Sequence, residues 1–387
     1  MSGPVRLLIV SHSCVLPINR RIYEVLARQT DFVIHLLLPS HYTSDFDGRR
    51  LHLTQPQVPG IETSVGRTIL TGHGSSYMYL SGLRRAIREF QPDVLFLDEE
   101  PWSLAALQTL ICLRGEEARL TFYTKQNLRL SLPPPFRQIQ SWAFRRATLA
   151  LAISQEAVEI LRWKAYTGPV EILPHGVDLE LFRPGEGDRV RAEKGLRGLV
   201  FGYFGRLVPE KGVRDLVEAA LRFLGDGGQK AATFFIVGSG PERDWLTQRV
   251  AGSPYAGRFV FREKVSHDAV GESLAACDVV VLPSRTVPRW KEQFGRVIIE
   301  ALACGVPVIG SDSGEIPVLI EKIGGGLVFP EGDTAALADR MEMLWRDPAL
   351  RRSLAERGRS TVVTKYSMDA VARTLREGLL RAAGHVL

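Results

Sequence analysis

Short, almost wholly apolar runs alternate along this chain with segments whose apolar residues recur every three or four positions. In the first half, VRLLIVSHS, FVIHLLLP, PDVLFLDEE, RLTFYTKQN and LALAIS have the length and composition of buried strands. Between them, NRRIYEVLARQ, YLSGLRRAIREFQ, WSLAALQTLICLRG and QSWAFRRAT carry helical spacing. Such alternation predicts a parallel sheet with helices on both faces.

The rhythm breaks at PHGVDLELFRPGEGDRVRAEKGL, where proline, glycine and charge predict a linker. It restarts with LVFGYFGRL, VRDLVEAALRFL, ATFFIVGSG, RFVFREKV, DVVVLPS, FGRVIIEALAC, PVIGSD and GGLVFP, a second doubly wound domain. The last segment, MDAVARTLREGLLRAA, sets Val371, Leu375, Leu379 and Leu380 on one stripe of an amphipathic helix. The expected class is α/β, with two Rossmann-like domains facing across a cleft. Residues 1–180 form the first, 181–198 a linker region, 199–367 the second and 368–387 a terminal helix. Ligands bind such sheets at the carboxyl ends of the strands.

Composition narrows this picture slightly. A chain of 387 residues with 45% apolar content suits two domains with real cores. The net charge of +6 fits an anionic ligand or an anionic surface. The four cysteines (Cys14, Cys112, Cys277 and Cys304) form no CxxC, so neither a zinc site nor a disulfide framework is indicated. A reducing cytosol is the simple expectation. VRLLIV is too short for a secretory core, and no apolar run approaches the ~20 residues that span a bilayer. The expected location is cytoplasmic, in solution or peripheral at the inner face of the membrane.

Three glycine turns point to phosphate. FGYFGRLVPEKG, residues 201–212, joins a strand to a helix; Gly205 permits close approach, and Arg206 and Lys211 place two cations at one loop. The alternative is a loop with two solvated basic residues. VGSGPE, residues 237–242, resembles part of a dinucleotide fingerprint, or is a plain tight turn. In EQFGRVIIE, residues 292–300, Phe294 and Gly295 begin a helix whose free amides suit a phosphate. Glu292 precedes that helix and Glu300 lies on its buried side, near the small residues Ala303, Cys304 and Gly305. For Glu300 alone, an i,i+4 pair with Arg296 is the plain alternative.

Taken in order, GRLVPEKG, DVVVLPS and EQFGRVIIEALACGVPVIGSDSGEIP resemble the retaining glycosyltransferases of family four, which have the GT-B fold. The Glu-x7-Glu element is present as Glu292 and Glu300, and ILPHGVDLELFRP is similar to the family's interdomain segment, with His175 as a hinge residue. The resemblance implies a nucleoside-diphosphate sugar donor, UDP- or GDP-linked, and no required cofactor or metal. It implies that Arg206, Lys211 and Glu292 serve the chemistry: the two cations on the departing diphosphate, Glu292 by the sugar hydroxyls. Glu300 would receive the ribose, and the Phe294 and Gly295 amides the phosphate. Gly205, Gly238, Ser239, Gln293 and the backbone near Lys264 and Val265 would complete the donor site, the last two facing the base. The terminal helix would cross back to the first domain.

The implied reaction transfers a sugar with retention to an acceptor hydroxyl, in glycan, polysaccharide or glycolipid synthesis. A sugar-nucleotide epimerase of the same architecture and a non-catalytic donor-binding relative are the alternatives. The first loop, SHSCVLPINRR, lacks the glycine pair of many relatives, so His12, Ser13, Asn19 and Arg20 become candidates for donor or acceptor contact; a proline-shaped turn is the plain alternative. LDEEPWS and YTKQN end two strands and add Asp98, Glu99, Lys125 and Asn127 on the acceptor side, with strand-end solvation as the alternative. Lys125 stands where relatives often have histidine. His267 is read as a surface residue. Asp45-Phe46-Asp47 spells Asp-x-Asp but lacks a nucleotide-binding context, and no metal is expected. Arg84, Arg85 and Arg88 line one helix, and Trp142, Phe144, Arg145 and Arg146 another; basic-aromatic faces suit anionic lipid, or are ordinary solvated faces. The expected partners are therefore the donor, a sugar, lipid-linked or small-molecule acceptor, and a membrane surface if the acceptor is lipid-linked. Nothing favours nucleic acid.

Overall fold

A computed structural model describes residues 3–43, 48–72, 76–226, 230–263 and 267–385. Lys264, Val265 and the Asp45-Phe46-Asp47 triplet lie outside the described residues. The chain divides into two compact units, residues 1–176 with 368–387, and residues 177–367.

The first unit is built on a seven-stranded parallel sheet. Its order is Val170–Ile172, Ala147–Ala152, Arg119–Thr124, Val94–Leu97, Val5–Val10, Phe32–Pro39 and Glu62–Gly66. The central strand Val5–Val10 is apolar on both faces because helices cover both, and Leu7, Leu8, Ile9 and Val10 are completely buried. The edge strand Glu62–Gly66 was not anticipated: its sequence ETSVG is half exposed and mostly polar, so it carries no hydrophobic signal. The helix expected within QSWAFRRAT starts earlier, at Phe136, and runs to Arg146.

The second unit repeats the plan with six parallel strands in the order Phe259–Arg262, Ala232–Val237, Leu199–Phe204, Val279–Leu282, Val308–Ser311 and Gly326–Phe329. Phe201, Phe223 and Phe234 fill its core, with Phe201 and Phe234 stacked 5.3 Å apart. The stretch expected to link two domains holds a helix, Asp188–Lys194, that packs within this unit. Arg191 fastens it, donating to Asp278 Oδ2 at 2.6 Å and to the Ala276 carbonyl at 2.8 Å. Helices Thr334–Arg346 and Pro348–Lys365 follow the last strand, each begun by an aspartate side chain that accepts from first-turn amides.

Helix Met368–Ala383 belongs to the first unit. It lies against helix Arg21–Ala27 and strand Arg119–Thr124. Its apolar stripe is buried, and two bidentate arginine pairs hold its polar edge: Arg376 to Asp31, both bonds 2.7 Å, and Arg381 to Glu171, at 2.8 and 2.7 Å. Among the described residues no helix is long and apolar enough to cross a membrane.

Leu375 is completely buried on that stripe. Leu375→Ala is expected to lower the stability of the first unit by about 2–5 kcal/mol through lost burial and the cavity left behind. Urea unfolding followed by circular dichroism measures it, and a change within ~0.5 kcal/mol would mean that the helix is not docked there.

Candidate active site

In the second unit, loops at the carboxyl ends of the strands meet around one ion pair. Lys211 ends a 3-10 turn, Pro209–Lys211, and its Nζ lies 2.6 Å from Glu292 Oε2. The Ser284 hydroxyl donates to the same oxygen at 3.0 Å. The Trp290 ring centre sits 4.7 Å from Nζ, a cation–π contact on another side of the ammonium. Both charged side chains are largely buried, at 16% and 11% exposure. The loop bearing Glu292 is itself anchored: the Glu315 N–H donates to the Glu292 carbonyl at 3.1 Å, and Arg285 pairs with Asp215 through two bonds of 2.5 Å.

Backbone contact makes this convergence possible. Gly212, at φ +64°, initiates helix Val213–Gly225; a Cβ there would stand 1.8 Å from the Pro283 carbonyl oxygen. Only glycine lets the turn lie against the strand end that carries Ser284. Likewise a Cβ on Gly238 would meet the Gly205 carbonyl oxygen at 1.8 Å. The Gly205 N–H donates to Val237, the Gly238 N–H to Arg262, and the Leu207 N–H to the exposed Ser239, so the two glycine turns form one surface. Arg206 emerges from it, half-buried, 3.5 Å from Glu210, its carbonyl held by the Tyr203 hydroxyl at 2.6 Å.

Gly295, at φ +79°, opens helix Arg296–Ala303, with Phe294 buried before it and Gln293 exposed. Glu300 lies on the buried side of that helix. Its carboxylate accepts no hydrogen bond among the described residues, and burial pushes its pKa up to about 7, against the opposing pull of Arg296. A buried carboxylate with open lone pairs is a receptor for hydroxyl donors.

The first unit has a separate polar cluster, again at strand ends. Glu99 is buried and fully engaged: its Oε1 accepts from the His12 N–H at 2.5 Å and from the Tyr77 hydroxyl at 2.6 Å, and its Oε2 lies 2.6 Å from His12 Nδ1. Tyr42 packs on the imidazole with ring centres 4.4 Å apart. Burial works to lower the His12 pKa, but the charge and hydrogen bond of Glu99 outweigh it, and the net shift is upward. Asp98 receives the hydroxyls of Ser11 at 2.8 Å, Tyr23 at 3.1 Å and Ser13 at 3.4 Å, and Lys125 Nζ lies 3.8 Å from its other oxygen. His12, Ser13, Glu99 and Lys125 are thus brought together.

Arg20 does not join them. It is 2% exposed, and its guanidinium donates to the carbonyls of Cys14, Val15, Thr54 and Gln55, so it staples the loop from beneath. Asn19 likewise serves the loop, donating to the Ser13 carbonyl at 2.8 Å, and Asn127 is buried. Tyr77, Tyr42, Ser284 and Trp290 were missed. Ser284 ends the run DVVVLPS and was findable as a strand-end hydroxyl; the tyrosines lie in segments with no periodic signal.

Two parallel-sheet Rossmann-like units in one chain are the plan of the GT-B fold. The family models agree: "Glycosyltransferase Family 4" matches residues 18–181 and "Glycosyl transferases group 1" residues 187–361. The chain belongs to the group 1, family four glycosyltransferases, and is a sugar-transferring enzyme. It is similar to the 2-deoxystreptamine N-acetyl-D-glucosaminyltransferase of Streptomyces fradiae, 29% identical over 88% of this chain and 84% of that one. It is 25% identical to the 2-deoxystreptamine glucosyltransferase of Streptomyces kanamyceticus, over 92% of this chain and 95% of the relative. Among solved structures, the Anabaena protein HepE in complex with UDP superposes with a TM-score of 0.75 at 19% identity, covering 97% of this chain and 100% of the other.

The raised Glu300 pKa has a consequence for stability. Below pH ~4.5 the group is protonated folded or unfolded and costs nothing; between there and pH ~7 the native state increasingly prefers the proton, and above pH ~7 the full cost of the buried charge is present. At about 1.4 kcal/mol per pKa unit, that cost is a few kcal/mol. Glu300→Gln is therefore expected to gain stability relative to the parent as pH rises from 5 to 7, and to hold the gain above it. Urea unfolding of the two proteins across that range tests this; a pH-independent difference would remove the burial argument.

Proposed function

We propose that the enzyme transfers a hexose from a nucleoside-diphosphate sugar, UDP-linked, to a hydroxyl of a small polar acceptor, with retention of anomeric configuration. The observation that carries this is the Lys211–Glu292–Ser284 cluster beside a helix that holds Glu300 unsatisfied. An ammonium has three donors, and Glu292 takes one. The others, with Arg206, suit the oxygens of a diphosphate. Glu300 suits the ribose hydroxyls, and Glu292 the sugar hydroxyls. The UDP in the HepE complex supports the choice of base. The full-length likeness to enzymes acting on 2-deoxystreptamine supports a small acceptor.

In the reaction the bond from the anomeric carbon to the diphosphate oxygen breaks, and its electron pair leaves with the diphosphate. Arg206, Lys211 and the amides after Gly295 stabilise that charge where it develops, each well-placed donor contributing a few kcal/mol. The acceptor oxygen bonds to the same face of the anomeric carbon, and its proton passes to the departing phosphate oxygen. No enzymic nucleophile is required. On the first unit, the His12 imidazole, held by Glu99, is suited to bind acceptor hydroxyls.

With UDP-glucose as the first donor tested, Lys211→Ala is expected to cut kcat by about 10²–10³-fold in a protein that still unfolds cooperatively, at a transition temperature lowered by the loss of Glu292's partner. Nuclear magnetic resonance of the product should show the donor's α configuration preserved. Near-normal turnover of the variant would reject the leaving-group role, and an inverted product would reject retention.

A further inference from the structure

The basic and aromatic residues of helix Phe136–Arg146 do not form one exposed face. Trp142 is covered by the Arg114 guanidinium at 4.7 Å. Phe144 packs against Phe122 and Tyr166, with ring centres 5.8 and 5.0 Å away. Arg146 donates to the carbonyls of Glu116 and Ala118. Arg145 is left over, and it borders a groove of about 460 Å³ between this helix and the turn at residues 164–167. Arg137 and Lys164 line the same groove.

The charge there is one-sided. Three cations line the groove and no carboxylate does. Two grooves of similar size in the same unit are balanced: one sets Asp93 and Glu117 beside Arg119, the other Glu62 and Glu89 beside Arg6 and Arg85. Arginines elsewhere find acids, as Arg376 does with Asp31 and Arg249 with Glu218. In the groove, the Arg137 side chain has no hydrogen-bond or ion-pair partner among the described residues, and the side-chain partner of Arg145 is the Ser141 hydroxyl, 2.6 Å away. Lys164 Nζ donates to Gln126 Oε1 at 2.6 Å. Its burial lowers its pKa to about 8, and the nearby Glu100 offsets only part of that.

A second observation is independent of charge. Gln140 is 7% exposed and lines the groove, yet its side-chain amide makes no hydrogen bond among the described residues. The amide keeps donor and acceptor capacity that a ligand in the groove would use.

We propose that the groove binds a phosphate-bearing anion through Arg137, Arg145, Lys164 and the Gln140 amide. A carboxylate would be satisfied by a single guanidinium fork, whereas a phosphate monoester offers up to two negative charges and three oxygens, enough for two forks, an ammonium and an amide. None of these residues belongs to the Glu292 or His12 clusters, so the site stands apart from the donor reading. The phosphate comes from a soluble phosphorylated compound or from a phospholipid headgroup, and the experiment separates the two.

Inorganic phosphate is titrated into the full chain by calorimetry, and into three variants. The parent and Arg206→Ala/Lys211→Ala, which lacks the donor-side cations, should bind it saturably at this site. Arg137→Ala/Arg145→Ala, both exposed and safe for folding, should lose affinity roughly tenfold or more. Arg84→Ala/Arg88→Ala, on another basic helix, should match the parent. Retention on phosphatidylglycerol vesicles, competed by free phosphate and lost in the Arg137/Arg145 variant, would identify a headgroup; binding of phosphate without retention would identify a soluble ligand. Undiminished binding in the Arg137/Arg145 variant, an equal loss in the Arg84/Arg88 control, or binding that disappears only with Arg206 and Lys211 would overturn the proposal.

Discussion

An ammonium and a carboxylate that leave water together set the terms for the second unit. Lys211 and Glu292 are both largely buried, and neither would tolerate the burial without the other. Their contact joins positions 81 residues apart in the chain, so the turn after one strand and the loop before a helix must close on each other to the ångström. The glycines follow from that demand. With any side chain at Gly212, the turn carrying Lys211 would be pushed off the strand end that carries Ser284. The ion pair is therefore the reason the local backbone takes its shape, and the shape in turn aims the helix that begins after Gly295.

Three acids, two beside strand or helix ends and one within a helix, show how environment divides one chemistry into different uses. Glu292 is neutralised by a cation and steadied by Ser284, so it is a fixed charge. Glu99 is surrounded by donors from a backbone amide, a tyrosine and a histidine, so its capacity is spent on holding His12 in place. Glu300 has neither, and its proton affinity rises accordingly. By this logic Glu300 is the carboxylate of the three most ready for a ligand's hydroxyls, and Glu99 the one least able to meet them directly. Glu99 was expected among the acceptor contacts; in the structure its oxygens meet His12 and Tyr77.

The doubly wound plan was legible because its strands are buried on both faces and read as uninterrupted apolar runs, as Val5–Val10 and Ala232–Val237 do. The glycine turns were legible because close approach leaves a residue type behind. The edge strand Glu62–Gly66 was not, since one exposed edge and a polar face erase the hydrophobic signal. Helix Asp188–Lys194 was hidden by the prolines and glycines around it, though five of its seven residues (Arg189, Arg191, Ala192, Glu193 and Lys194) are good helix formers and a left-handed Gly195 closes it. The His12–Glu99 contact spans 87 residues and two strands. No spacing rule reaches that far; only the parallel register of the strands ending at Val10 and Leu97 brings the two residues together.

The overall charge also changes meaning once it is placed. A net +6 on the sequence suggests a diffuse attraction for anions. In the folded chain most guanidinium groups are already used, on carboxylates as at Arg285 and Arg381, or on carbonyls as at Arg20 and Arg146. Paired cations contribute little field at a distance beyond the ~8 Å over which salt screens them. What remains outside ion pairs among the described residues includes a local group: Arg137, Arg145 and Lys164 around one groove of the first unit, whereas Arg206 and Lys211 at the strand ends of the second already face Glu210 and Glu292. A protein with the same composition but with those three groove side chains paired would carry the same formal charge and attract anions less at that groove. It is the placement of those cations, rather than the number of basic residues, on which the proposed phosphate groove rests.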